Sequence, residues 1–433
     1  MIHLMQKLRK RRGTYYYVVV TTVAAVITGT INYLYHPMMI RYLSSADFAI
    51  FQSLMSMFNI FSVVSAGLGM YLTQQFSKHA DNPQQLSALK RYRKWFAIKR
   101  GIVLFSFFVC LSPLLTSYLH LPSFRLVILV AFSYLFTGYV IVFGWLLQGT
   151  HKFEHISGIL IAGAICRVSF GAVAMRLDLG VAGAIAAVSI GSLVWVTLQW
   201  LSTRKIAEQQ PTHDTEIRIV DDFRSHLPPI TFFASVAVVS MLLSQIDIFV
   251  VQHKYFGDEA GIYVAVSVLA KFIFFLAGSV ETVYYPQLSK SVVHHVSRIQ
   301  VRNYLTLLAF VIVGGYLGSR LLGGYVLYLF KPTLVGYADW LQWLLIGSGS
   351  IFVFTTILKL LVAWKQKRCA MVLIGFGLLV MVWLHIAADS ISSFVHVYTW
   401  SMVVLALCAL VLFRYTLHTH KQLSVTELGT SEI

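Results

Sequence analysis

Long apolar runs with almost no charged residues dominate this chain and restrict it to one structural class. Apolar residues make up 58% of its 433 residues, and charged residues make up only 12%. A run of about 20 apolar residues spans the hydrocarbon core of a membrane when it forms an α-helix. The sequence therefore predicts an all-α integral membrane protein.

Windows with few charges predict about twelve transmembrane helices, six on each side of the most polar stretch of the chain. The predicted spans lie near 15–38, 47–75, 101–119, 124–148, 156–176, 180–202, 228–253, 258–286, 302–330, 336–363, 369–387 and 392–415. We expect an N-terminal half at 1–201, a cytoplasmic linker at 202–225, a C-terminal half at 226–416 and a cytoplasmic tail at 417–433.

One segment occurs twice, which indicates that the two halves are related. Arg41–Lys78 consists of a short polar hairpin, a long apolar run and the ending Gln-Phe-Ser-Lys. Lys254–Lys290 has the same plan and ends in Gln-Leu-Ser-Lys, with an offset of 213 residues at the start and 212 at the end. A repeat of this length predicts two similar domains. Because each half has six spans, the repeat is expected to be parallel, with a central cavity between two six-helix bundles.

The distribution of lysine and arginine predicts the orientation. Loops on one side hold 25 of these residues and loops on the other side hold 5, while the remaining four of the 34 lie inside spans. The 25 include the cluster Lys7–Arg12 and Lys290. Basic loops stay in the cytoplasm, so both termini are expected there. The net charge of +17 is thus explained by membrane topology, and no nucleic-acid partner is expected.

Several functional classes lack their motifs in this sequence. The predicted external loops are short and contain no paired acids of the kind that a membrane glycosyltransferase uses, and no phosphate-binding Gly-x-x-x-x-Gly-Lys motif occurs. The four cysteines have no metal-ligand spacing, so no metal and no catalytic residue is predicted. The chain is not expected to be an enzyme.

Ionisable residues inside the spans are the candidate functional residues, because a charge at the centre of a bilayer costs roughly 2.5–3.5 kcal/mol on insertion scales. Three cations, Arg167, Lys271 and Arg320, suit an anionic substrate such as a diphosphate. Two acids, Asp247 and Glu281, are candidates for coupling to H⁺ or Na⁺. No other cofactor is expected.

Each deep charge also has a purely structural interpretation. Asp247 and Lys271 lie on adjacent helices at depths that differ by roughly 9 Å, and they could form a structural salt bridge. Arg320 and Lys359 could extend to the headgroups. The amides of Asn32 and Asn59, together with that of Gln52, are candidates to line the same cavity. Asn32 corresponds to Gln245 in the repeat.

Three segments carry a resemblance to a known family. They are the hairpin Pro37–Phe48 (PMMIRYLSSADF), the segment Gly144–Gly149 (GWLLQG) followed by Phe153, and the run Asp247–Ser289, which contains AGIY and PQLS. In this order they resemble the polysaccharide-transporter branch of the multidrug/oligosaccharidyl-lipid/polysaccharide exporter superfamily. The resemblance covers nearly the whole chain and the twelve-span plan.

The resemblance implies a flippase that moves an undecaprenyl-diphosphate-linked oligosaccharide, of the O-antigen type, across the bacterial inner membrane by ion-coupled alternating access. The implied partners are this substrate and membrane lipid, and other membrane proteins of polysaccharide assembly are candidate partners. Three alternatives stay open: a drug or cation antiporter of the same fold, a membrane enzyme of glycan assembly, and a scaffold protein. An antiporter would need an acidic cavity, whereas this chain has more deep cations than deep acids.

Overall fold

The structure is a computed structural model that describes residues 14–78, 83–204, 213–274, 276–278, 281, 298–364 and 366–429. The basic cluster Lys7–Arg12, Lys290 and the second copy of the repeat ending lie outside the described residues. Twelve α-helices occur within the described ranges, which contain no strand. This confirms the all-α prediction.

The chain divides into two compact units, 1–238 and 239–433. The helices of the first are α1 (Thr14–Tyr42), α2 (Ser45–Lys78), α3 (Pro83–Tyr118), α4 (Arg125–Gly149), α5 (Phe153–Arg176) and α6 (Gly180–Thr203). Helix α7 (His213–Tyr255) begins in the first unit and ends in the second. The second unit continues with α8 (Asp258–Ala270), α9 (Arg298–Phe330), a 3₁₀ turn (Pro332–Tyr337), α10 (Ala338–Ala363), α11 (Lys367–Ile386) and α12 (Ile391–Gly429).

Ten helical segments among the described residues are long and apolar enough to cross a membrane, and one of them, Asp258–Gly278, extends beyond the end of α8. Their outward faces are apolar: Phe310, Leu321 and Val411, for example, are more than two-thirds exposed. Such surface is expected where hydrocarbon, not water, covers the protein. Helix α10 is the opposite case, because most of its residues are buried inside the structure.

Several helix pairings recur in the two units. In the first, α4 packs against α2, α3 and α6, and α5 packs against α6. In the second, α10 packs against α8, α9 and α12, and α11 packs against α12. The corresponding hairpins also begin and end at matching residues, since Tyr42 and Ser45 shifted by 213 give Tyr255 and Asp258. The helix boundaries thus repeat with the offset found in the sequence.

Two helices differ from the sequence-based expectation. Helix α7 begins at His213, well before the expected start near 228, because its polar first turns are invisible to a search for apolar windows. Helix α8 ends at Ala270 and a turn follows at Lys271, whereas one continuous helix to 286 was expected. Residues 272–274, 276–278 and 281 are again helical, and 282–286 lie outside the described residues. The amide of Phe274 bonds to the carbonyl of Lys271, three residues back, so the helix tightens at that point.

Close approach of α10 and α12 depends on the absence of a side chain at Gly347. A Cβ atom built there would lie 3.0 Å from the Tyr398 ring and 3.4 Å from the Cα atom of Thr399. Neither helix can move away without opening the centre of the unit, so a larger residue must strain the packing.

We expect Gly347→Val to destabilise the second unit by about 1–3 kcal/mol, the usual cost of overpacking a dense core. The measurement is the thermal midpoint of the purified protein in detergent. Gly375→Val on α11 is the matched control, because no atom lies within 4 Å of a Cβ at that position. Equal midpoints for the two variants would show that the α10–α12 contact is not tight.

Candidate functional site

Arg167 is a half-buried cation on α5 in the first unit. It lies nine residues before the end of the helix at Arg176, which is roughly 14 Å at 1.5 Å per residue. Its Nε atom is buried and has no hydrogen-bond partner among the described residues. Its Cβ atom would be 3.0 Å from a Cβ atom at Gly191 on α6, so the small residue on the neighbouring helix leaves room for the arginine.

The contact that holds the Arg167 guanidinium is the ring of Tyr35 on α1. The Cζ atom of Arg167 lies 4.5 Å from the ring centroid, in the geometry of a cation–π interaction. The Tyr35 hydroxyl donates a 2.6 Å hydrogen bond to the Ala184 carbonyl oxygen on α6. Gly171 makes space for the ring, since a Cβ there would come within 2.5 Å of it. The ring is therefore held in place on both sides.

Tyr35 does not neutralise the charge of Arg167. A cation–π contact contributes about 0.5–2 kcal/mol, whereas removing a charged group from water without a counter-ion costs several kcal/mol. No acidic residue pairs with Arg167 in the part of the chain that the structure describes. The arrangement therefore suits an anion supplied by a ligand.

His36, next to Tyr35, adds a second polar group to the site. Its Nδ1 atom lies 3.0 Å from the Oε1 atom of Gln52 on α2. Asn32 lies one turn before His36 on the same face of α1, and Asn59 lies two turns after Gln52 on the same face of α2. Each helix thus carries two polar residues on one face, His36 with Asn32 on α1 and Gln52 with Asn59 on α2.

Arg167 and the three amides are residues that the sequence predicted, whereas His36 and Tyr35 were not predicted. A signal for His36 was present, since it is an ionisable side chain within the apolar run of α1. It was not predicted, because histidine is counted as neutral when charged residues are used to find spans. Nothing in the sequence alone placed the Tyr35 ring against Arg167.

The deep charges of the second unit pair with each other. The Nζ atom of Lys271 donates to Oδ1 of Asp247 at 2.8 Å, and the Asp247 side chain is fully buried. The hydroxyl of Ser267 donates to the other carboxylate oxygen. The Tyr263 hydroxyl lies 3.5 Å from that oxygen. The charges of the Asp247 carboxylate and the Lys271 ammonium compensate each other. This is the structural salt bridge that the sequence offered as one interpretation of the two residues.

The other predicted residues of this unit also have partners. Glu281 accepts a 2.8 Å hydrogen bond from Lys359, and the two side chains form an ion pair. The Lys359 side chain is also partly exposed. Arg320 is exposed and its Nη1 atom donates to Oε1 of Gln342 at 3.1 Å. Within the described ranges, neither Arg167 nor Arg320 has an acidic partner, and of these two cations only Arg167 is half-buried.

A family model described as polysaccharide biosynthesis protein matches residues 17–292. This stretch includes all six helices of the first unit and the α7–α8 hairpin. None of the curated proteins compared with the chain matches it.

Solved structures show where the fold occurs. An inward-facing multidrug resistance MATE family transporter of the MOP superfamily is 13% identical with a TM-score of 0.64, over 92% of this chain and 99% of that one. Lipid II flippase MurJ in an inward closed conformation is 15% identical with a TM-score of 0.67, over 92% and 87%. A MOP superfamily transporter from Pyrococcus furiosus, described as having a binding pocket of reverse polarity, is 13% identical with a TM-score of 0.55, over 94% and 96%. At these identities the likeness shows the twelve-helix fold alone.

The buried pair in the second unit allows a direct test of its structural weight. We expect Lys271→Met or Asp247→Asn alone to destabilise the protein, with Lys271→Met costing about 3–5 kcal/mol because it leaves a buried carboxylate unpaired. The double variant should recover most of that loss, since it removes both charges. Thermal midpoints of the four proteins in detergent give the coupling. Arg167→Met is the control, expected to cost little because no acid is left unpaired. Additive losses in the double variant would contradict the pairing.

Proposed function

We propose that this chain, which belongs to the polysaccharide biosynthesis protein family, is a flippase for an undecaprenyl-diphosphate-linked oligosaccharide. It would move an O-antigen-type repeat unit across the bacterial inner membrane by ion-coupled alternating access. The single observation that supports this proposal best is Arg167, whose Nε atom is buried without a hydrogen-bond partner and which has no acidic partner among the described residues.

A diphosphate is the anion that this site suits best. A guanidinium presents several N–H donors in a fixed plane and can bind two phosphate oxygens at once. In an environment of low polarity each such bond is stronger than in water. The amides of Asn32, Gln52 and Asn59 on the neighbouring helix faces would then bind hydroxyl groups of the first sugar.

The pairing of the acids argues against the cation antiporter. A site for a cationic drug needs a carboxylate that is free to receive it. Asp247 pairs with Lys271, and Glu281 pairs with Lys359. We propose Asp247 and Glu281 as coupling groups, because a carboxylate that binds H⁺ would release its lysine. We propose Lys271 and Arg320 as secondary ligands of the substrate. No catalytic step is proposed, and other proteins of polysaccharide assembly remain candidate partners.

Flipping in reconstituted vesicles tests the proposal. Fluorescent undecaprenyl-diphosphate oligosaccharide is incorporated, and the fraction in the outer leaflet is followed with an impermeant quencher. We expect Arg167→Gln to reduce the rate at least about tenfold, the equivalent of about 1.4 kcal/mol. Arg167→Lys should retain part of the activity, because an ammonium keeps the charge but loses the two-point geometry.

Arg125→Gln is the matched control, because the Arg125 side chain is exposed at the start of α4. It should flip like the wild type. Unchanged flipping by Arg167→Gln would remove Arg167 from the site. Absence of flipping by the wild type, with proton-driven release of a cationic dye, would favour the antiporter.

The ten apolar helices make this a multi-pass membrane protein. We further propose that it lies in the inner membrane with both termini in the cytoplasm. In a cysteine-free background, Asp389→Cys between α11 and α12 should react with an impermeant maleimide in intact cells. Lys152→Cys between α4 and α5 should react only after permeabilisation. The reverse pattern would invert the topology.

A further inference from the structure

The Arg167 guanidinium is open to a ligand at its terminal edge. Its Nε atom is buried and has no hydrogen-bond partner among the described residues. The terminal nitrogens Nη1 and Nη2 are not buried, and they too make no hydrogen bond within the described ranges. The N–H bonds of a guanidinium lie in its plane and form a fixed fork. An anion can therefore use both terminal donors at once, with one oxygen atom on each.

The Tyr35 ring limits the directions in which this terminal edge can point. The Cζ atom of Arg167 lies over the ring, 4.5 Å from its centroid. At the other end of the side chain, the Cβ atom of Arg167 faces Gly191 on α6, where an added Cβ atom would be 3.0 Å away. Contacts at the base and at the head restrict the rotamers of the arginine. The fork is thus oriented before a ligand arrives.

Tyr35 can support the arginine because the tyrosine is itself fixed. Its side chain is fully buried, and its hydroxyl donates a 2.6 Å hydrogen bond to the carbonyl oxygen of Ala184 on α6. The ring of Phe51 on α2 packs edge-on against it, with the centroids 5.9 Å apart. An added Cβ atom at Gly171 on α5 would come within 2.5 Å of the ring. Contacts from three helices therefore hold the ring that α1 carries.

We propose that Tyr35 is a positioning residue that directs both terminal donors of Arg167 toward one phosphate group of the substrate. The proposal rests on the proposed function, and it adds the reason why the site carries arginine, since lysine would supply the same charge. An ammonium has no plane and no fork, so the support of the ring adds little to its hydrogen bonds. The contribution of Tyr35 must therefore appear as a preference for arginine over lysine at position 167.

A double-mutant cycle on binding measures this preference. Equilibrium binding of radiolabelled undecaprenyl diphosphate is followed with the protein in nanodiscs. We expect Arg167→Lys in the wild-type background to raise the Kd at least about tenfold. In the Tyr35→Leu background the same exchange should raise it less than about threefold, because an unsupported guanidinium loses rotational freedom when it binds. The quantity to compare is thus the lysine/arginine Kd ratio, which a purely structural role of Tyr35 would leave unchanged.

Tyr134 on α4 offers a matched control for the loss of a tyrosine. It is also fully buried in the first unit, and its hydroxyl donates to the carbonyl oxygen of Met57 at 3.0 Å. Tyr134→Leu removes the same atoms, so any general effect on packing is common to both variants, but the lysine/arginine Kd ratio should stay at its wild-type value. Tyr35→Phe keeps the ring against the guanidinium and should keep most of the ratio.

Gly171→Ala displaces the ring without changing Tyr35, and it keeps the role of the ring testable if Tyr35→Leu does not fold. Because the added Cβ atom meets the buried ring, the lysine/arginine Kd ratio should fall below about threefold. Gly158→Ala on the same helix is its control, since no atom lies within 4 Å of a Cβ atom there, and the ratio should not change. Gel filtration and thermal midpoints verify the fold of every variant.

The outcomes distinguish this inference from the proposed function. A lysine/arginine Kd ratio that stays at its wild-type value in Tyr35→Leu and Gly171→Ala would overturn the role of Tyr35 and leave the flippase intact. A ratio that falls equally in Tyr134→Leu would overturn it as well, because the effect would then come from packing in general. Absence of wild-type binding to undecaprenyl diphosphate would overturn both proposals.

Discussion

The cost of placing a charge away from water governs this structure more than any other interaction. In the second unit, Asp247 and Lys271 meet that cost by pairing at 2.8 Å, with Ser267 supplying a further hydrogen bond. In the first unit, Arg167 rests on the Tyr35 ring without an acid among the described residues. The buried charges of Asp247 and Lys271 in the second unit therefore compensate each other, whereas the charge of Arg167 in the first unit can be compensated by a ligand.

This difference has arisen on two copies of one scaffold. The first hairpin of each unit begins and ends at residues related by an offset of 213. At the same offset, Leu34 and Phe58 occupy the positions of Asp247 and Lys271. Ile248 and Phe249 occupy those of Tyr35 and His36. The ends of the hairpin helices thus match between the copies, whereas the side chains at these four positions differ in polarity, as expected when binding groups are placed on a common fold.

The sequence predicted the helix order and the repeat well, because both depend on hydropathy and on loop residues such as Tyr42 and Tyr255. It predicted the start of α7 poorly, since the polar turn at His213 carries no membrane signal. The Lys359–Glu281 pair was not foreseen, because contacts between distant helices leave no trace in spacing. His36 was missed for a different reason, because histidine counts as neutral when charged residues are used to locate spans.

In the proposed function, Arg167 lets the first unit select a lipid by its negative charge. Native mass spectrometry of the purified protein mixed with equal amounts of undecaprenyl diphosphate and uncharged undecaprenol tests this claim directly. We predict that the wild type retains the diphosphate lipid preferentially and that Arg167→Met abolishes the preference. Arg125→Gln, a change at the exposed start of α4, should keep it. Equal retention of the two lipids by the wild type, or an undiminished preference in Arg167→Met, would contradict the account.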